Sequence, residues 1–216
     1  MKESTSREKI LKKVRNALIH KSSKPESENI DFESPIYSKQ EESAEITFAQ
    51  KFTALNGKFA FCENTKEFES IIKEFSAEAA LGEIYCAEES IKELLTNAGI
   101  KHTDNPAKLT SCEVSVTNCE YLIARTGSIM ISSRQSSGRK LPVFPDKHIV
   151  VAYSSQLVDD IKDALKAIKL KYADKAPSLI SLISGPSRTA DIEKTLILGA
   201  HGPKEIYLFL IDDATI

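Results

Sequence analysis

No apolar run in this 216-residue chain approaches the roughly 20 residues that a membrane-spanning helix needs, and its N-terminus carries no hydrophobic core of the signal-peptide kind. The expectation is therefore a cytoplasmic protein without a transmembrane segment. The four cysteines, Cys62, Cys86, Cys112 and Cys119, include no C-x-x-C pair, so the chain alone is not expected to hold zinc or an iron-sulfur cluster. Free, reduced thiols are the simpler reading, with Cys62 and Cys86 inside buried strands. A net charge of -2, from 29 basic and 31 acidic residues, lacks the strong basic excess of a nucleic-acid binder.

What is present is ordinary globular composition, 41% hydrophobic and 28% charged, long enough to enclose one sizeable core. Thr5 and Glu8 make a capping-box pattern, and Ile10, Leu11, Val14, Ala17 and Leu18 follow at helical spacing. The polar face is basic, with Arg7, Lys9, Lys12, Lys13 and Arg15. Membrane-surface and nucleic-acid binding are both conceivable for such a helix, but docking on this chain or on a sister subunit fits its short, non-aromatic face better. Residues 21–40 are rich in Ser, Pro and Glu and read as a linker or an arm able to wrap a neighbouring subunit. The chain thus divides into an N-terminal helix and arm, 1–45, and an α/β domain, 46–216.

Within that domain, strands and helices alternate. Strand Lys58–Cys62, a helix over 65–75 opened by Asn64 and Glu67, a strand over 83–86 and a helix over 91–98 opened by Ser90 and Glu93 imply right-handed crossovers and a parallel sheet. Apolar runs at 121–124 and 128–132 stand too close for parallel neighbours, so a β-hairpin is inserted, turning at Thr126, Gly127 and Ser128. Residues 133–145 form a polar loop with Arg134, Gly138, Arg139 and Lys140, suited either to solvated surface or to a lid over an anion. A buried strand at 148–153 and a helix at 156–172 follow.

The stretch from 179 to 212 is expected to organise the site. Leu179, Ile180, Leu182 and Ile183 read as a buried parallel strand, and Gly185 and Pro186 break it. A helix is expected next, with Asp191 and Glu193 in its first turn, Ile192, Leu196 and Leu198 on its buried stripe and Gly199 ending it. Its N-terminus, with Ser184, Ser187, Arg188 and Thr189 around it, would offer backbone N-H groups and a guanidinium to a carboxylate or phosphate. The plainer alternative is a capped helix with Arg188 paired to Asp191 or Glu193. His201, between Gly199 and Pro203, is placed by the same geometry near the opposite edge of the sheet, as a structural turn.

S-G-P-S-R-T-A-D-I-E at 184–193, G-A-H-G-P at 199–203, T-G-S at 126–128 and P-x-x-H-I at 145–149 together resemble the LUD-domain family of lactate-utilisation proteins, the LutC/YkgG type. The resemblance implies a NagB/RpiA/CoA-transferase-like α/β fold: a mostly parallel sheet flanked by helices, with the inserted hairpin and an N-terminal helical arm. It implies a non-cluster subunit of a system oxidising L-lactate to pyruvate, with iron-sulfur clusters on partner proteins and no metal in this chain. Candidate ligand-binding residues are Thr126, Gly127, Ser128, Ser184, Gly185, Ser187, Arg188 and Thr189, receiving a small carboxylate or phosphate. A freestanding isomerase or transferase acting on a phosphosugar or CoA ester would instead use Glu193 or Asp191 as catalytic acid or base, and a regulatory binding module or homo-oligomer is a third reading. Family members usually carry an acidic residue before T-G-T. Here Arg125 and Ser128 stand, so covalent catalysis by a carboxylate at that position is not expected.

Overall fold

The computed structural model describes residues 5–19, 42–190, 196–199 and 201–213. The chain divides into two units, Met1–Lys39 and Gln40–Ile216. In the first, α1 (Ser6–Ile19) begins with the capping box read from sequence: the Thr5 amide donates to Glu8 Oε2 at 2.9 Å and the Glu8 amide to Thr5 Oγ1 at 3.4 Å. None of its residues is buried.

The second unit opens with α2 (Ala44–Ala54), capped by Ser43, and β1 (Lys58–Cys62). Asn64 caps α3 (Thr65–Glu78) by accepting from the Glu67 amide at 3.0 Å, and Glu67 accepts in turn from the Glu63 amide. β2 (Ile84–Cys86), α4 (Glu89–Asn97), β3 (His102–Thr103) and β4 (Val114–Thr117) continue the alternation. The N-cap of α4 is Glu88 rather than Ser90, because the chain turns helical two residues earlier than the Ser90/Glu93 pattern implies, and Glu88 makes no side-chain cap. β5 (Tyr121–Ile123) and β6 (Ser128–Ser132) form the expected hairpin, with Gly127 left-handed at φ 59°. β7 (Lys147–Tyr153), β8 (Leu157–Val158) and α5 (Ile161–Tyr172) come next. α5 starts at its Asp160 cap, so the helix expected from 156 is shorter at its front.

The core is a six-stranded, wholly parallel sheet. Its order is β1, then β12 (Glu205–Ile211), β7, β4, β2 and β3. Its central strands are buried on both faces, which is why their sequences are continuously apolar. Ile149 and Val151 pack with Phe68, Ile72 and Leu95 of α3 and α4. Val150 and Ala152 face the other way, onto Phe48 and Phe52 of α2 and Leu122 and Ile129 of the hairpin.

The hairpin belongs to a second sheet, ordered β8, β5, β6 and β9 (Ile180–Ile183). Its outer face packs Ile123 and Met130 against Ala164 and Ile168 of α5. β9 is therefore not a strand of the parallel sheet: it pairs antiparallel with β6, at the edge, Ile131 opposite Ser181. The helix expected after it does not extend over 196–198, which form a strand: β10 (Arg188–Ala190) pairs antiparallel with β11 (Leu196–Leu198). Leu-Ile-Leu is three successive apolar residues, a pattern as good for a strand as for a helix face, and backbone pairing with Arg188–Ala190 decides for the strand. Asp191 and Glu193 lie outside the described residues.

Candidate functional site

Three loops converge beyond β9. Ser184 Oγ lies 2.7 Å from Ser128 Oγ, which brings the T-G-S turn to the S-G-P-S loop. The Ser187 amide donates to the Pro203 carbonyl at 2.9 Å, and the Gly199 amide to the Ser187 carbonyl at 3.0 Å. With β10 and β11 paired, the His201 turn stands beside Ser187 instead of at the far edge of the sheet. A Cβ on Gly202 would sit 3.1 Å from that of Ser187.

Gly127 and Gly185 serve close packing. A Cβ on Gly127 would stand 2.4 Å from the Phe52 amide nitrogen, and one on Gly185, at φ 85°, 2.3 Å from the Leu55 carbonyl oxygen. Both glycines thus admit the end of α2. Arg188 donates Nη2 to that same Leu55 carbonyl at 2.6 Å, placing a cation where the helix dipole is negative. Because 188–190 is a strand, no helix N-terminus among the described residues opens toward Ser184, Ser187 and Thr189. Thr126 Oγ1 is buried without a hydrogen-bond partner among the described residues.

The open space lies on the other side of the loop. A cavity of ≈ 280 Å³ runs along β9, lined by Ser184, Gly185, Ser187 and His201 together with Gly138 and Arg139. Ile131, Ile183, Ile206, Pro142 and Val143 supply apolar walls. Of the residues singled out in sequence, Ser184, Gly185 and Ser187 line it; Thr126, Gly127, Ser128, Arg188 and Thr189 do not. Arg139, from the loop read as a lid, reaches Ser178 Oγ with its Nη2 at 2.5 Å. An anion entering here would meet the guanidinium of Arg139, the imidazole of His201 and hydroxyls from Ser132, Ser181, Ser184 and Ser187 against a mostly apolar wall, a composition suited to a small carboxylate with a short carbon skeleton.

Ser132 connects this cavity to a buried carboxyl. Its Oγ donates to Glu120 Oε1 at 2.5 Å, Tyr172 donates to the same oxygen at 2.7 Å and Lys171 Nζ lies 2.8 Å from Oε2. Burial pushes the Glu120 carboxyl up, but the bonds from Lys171, Ser132 and Tyr172 outweigh burial and hold it below its ordinary range. Glu88 behaves oppositely. It is 4% exposed, accepts from the Asn118 amide at 2.7 Å, and has an Oε1 without a hydrogen-bond partner among the described residues. Burial raises its pKa despite Asn118 and Ser137. Sequence reading passed over both carboxylates, although a lone Glu120 beside the apolar run 121–123 was a readable anomaly.

The remaining groups are quiet. His148 is fully buried on β7, with Nε2 2.8 Å from Thr117 Oγ1, and burial pushes its imidazole down to about 4. Burial likewise pushes the thiols of Cys62 and Cys86 up to about 11, so neither is a ready thiolate. Arg125 pairs through Nε with Asp160 Oδ2 at 2.8 Å. Among the described residues, no three His, Cys, Asp or Glu side chains gather as a metal site, and no helix is long and apolar enough to cross a membrane.

Comparison with known proteins adds to this geometry. The LUD domain profile matches residues 46–211. Lactate utilization protein C of Halalkalibacterium halodurans is 32% identical over 108 residues, 49% of this chain and 47% of that protein. The Bacillus pumilus protein of the same name is 34% identical over 119 residues, 54% of this chain and 50% of that one, and the uncharacterized protein YkgG of Escherichia coli is 30% identical over 115 residues, 52% and 50%. The chain thus spans about half the length of the curated relatives it matches. A crystal structure of a DUF162 family protein from Deinococcus radiodurans has the same fold, with a TM-score of 0.59 at 19% identity, over 78% of this chain and 96% of that one.

Proposed function

The chain belongs to the LUD-domain family, and from that premise we propose that it serves lactate utilisation as a non-cluster subunit of a system oxidising L-lactate to pyruvate, holding the small carboxylate in the cavity beside β9. The observation that carries this reading is the convergence of Ser184, Ser187, His201 and Arg139 on one space of ≈ 280 Å³. Its support is the name of its relatives, lactate utilization protein C, together with the chemistry of that wall. Arg139 supplies a permanent positive charge and serines, Ser184 and Ser187 among them, supply neutral donors, while Ile131, Ile183 and Ile206 exclude water from the carbon skeleton.

In this reading the chain binds and orients, and electrons leave through iron-sulfur clusters on partner proteins. Reconstitution tests it: lactate-dependent dye reduction should require this chain together with its iron-sulfur partners and should be absent with this chain alone. Full dye reduction by the partners without this chain would refute the role.

A further inference from the structure

We propose that α1 is a surface anchor that lies flat on an anionic lipid bilayer, its aliphatic stripe in the headgroup layer and its basic residues against lipid phosphates. The observation is an unburied, predominantly basic amphipathic helix. Ile10, Leu11, Val14 and Leu18 are between 50% and 65% exposed, and no residue of the helix is buried. At 100° per residue, Ile10, Leu11, Val14, Ala17 and Leu18 fall within an arc of about 120°, the width of an apolar helix face. Lys13 borders that arc on one side and Arg15 on the other, while Lys9 and Lys12 stand behind it. Five cations face a single acid, Glu8.

This arrangement selects among occupants. A second copy of α1 is disfavoured, because two helices of the same strong positive charge repel. A groove on an acidic protein would accept the stripe only if it also desolvated Arg7, which falls inside the apolar arc in the first turn, and met it with a matched carboxylate, a costly requirement. At a bilayer the long Arg7 side chain reaches outward to the phosphates, and Lys13 and Arg15 do the same from the two borders. The stripe is wholly aliphatic and 14 residues long, so attachment is reversible and depends on lipid charge. The inference uses no residue of the cavity and stands apart from the lactate reading.

The test is flotation of the full-length protein with vesicles of phosphatidylcholine alone and of phosphatidylcholine with one quarter phosphatidylglycerol. The protein should float with the anionic vesicles and bind them at least about tenfold more tightly than the neutral ones, with the difference lost in high salt. Lys12→Gln with Lys13→Gln should weaken binding about tenfold or more, and Leu11→Gln with Val14→Gln should abolish it. These side chains are exposed, so the variants should keep the circular dichroism of the vesicle-free protein. Equal binding to both vesicle types, binding to neither, binding that survives Leu11→Gln/Val14→Gln, or an acidic protein that holds α1 while vesicles do not, would overturn the proposal.

Discussion

Arg188 Nη2 lies 2.6 Å from the carbonyl oxygen of Leu55, across 133 residues of sequence, so the guanidinium closes the C-terminal end of α2. That contact makes the loop after β9 part of how α2 is held. The arginine is exposed, which limits its electrostatic contribution to stability. Arg188→Ala should therefore lower stability by only about 1 kcal/mol, the scale of one exposed charge-assisted bond at a helix end. Arg188→Lys should recover part of the loss. Denaturant unfolding checks this, and a loss above about 3 kcal/mol would mean the residue does more than close a helix.

Gly185 and Gly127 should be far less tolerant than Gly138. All three have positive φ, but only the first two face backbone atoms within 2.4 Å of an added Cβ, whereas Gly138 faces open space. Gly138→Ala should cost about 1 kcal/mol of conformational strain. Gly185→Ala and Gly127→Ala must also displace α2 and should cost roughly 2 to 4 kcal/mol. Thermal unfolding of the three variants under one condition settles the ranking.

The two buried carboxyls should respond to pH with opposite sign. Glu120 is held below its ordinary pKa, so its stabilisation is present above the unfolded value of 4.5 and is lost as pH falls through the lower folded value. Glu120→Gln should destabilise at pH 7, and the difference from wild type should shrink on acidification. Glu88 has a raised pKa, so folding favours its neutral form and its burial costs stability at pH values above 4.5. Glu88→Gln, which keeps an acceptor for the Asn118 amide, should stabilise at pH 7 and matter little in acid. Unfolding followed from about pH 2 to pH 8 measures both slopes, the Glu120 change falling below pH 4.5 and the Glu88 change above it.

Much of the architecture was legible from residue order. Strand Lys58–Cys62, the Asn64/Glu67 cap and the Thr126-Gly127-Ser128 turn are local devices, written in adjacent residues. The expectations that failed depend on distant pairing. Residues 179–183 are as apolar as a buried parallel strand, yet pairing with β6 puts them at the edge of a second sheet, and no local pattern distinguishes the two. Reading 191–198 as a helix then displaced His201 to the wrong edge, because a helix would have carried the chain across the sheet, whereas the β10/β11 pair returns it to Ser187. The cavity was legible only in pieces: Ser184, Gly185, Ser187 and the loop over 133–145 stood out in sequence, but their joining with β6 and the turn before β12 into one space depends on the fold.

The most direct measurement of the central claim is a calorimetric titration of L-lactate and pyruvate into the full-length protein, its Ser184→Val and Arg139→Gln variants, and Arg188→Ala as a control outside the cavity. Loss of a charge-assisted bond to a carboxylate should weaken binding roughly tenfold or more for Arg139→Gln, and loss of one neutral donor several-fold for Ser184→Val. Arg188→Ala should bind as the wild type does. Unchanged affinity in both cavity variants, with binding lost in Arg188→Ala, would place the carboxylate elsewhere and contradict the account.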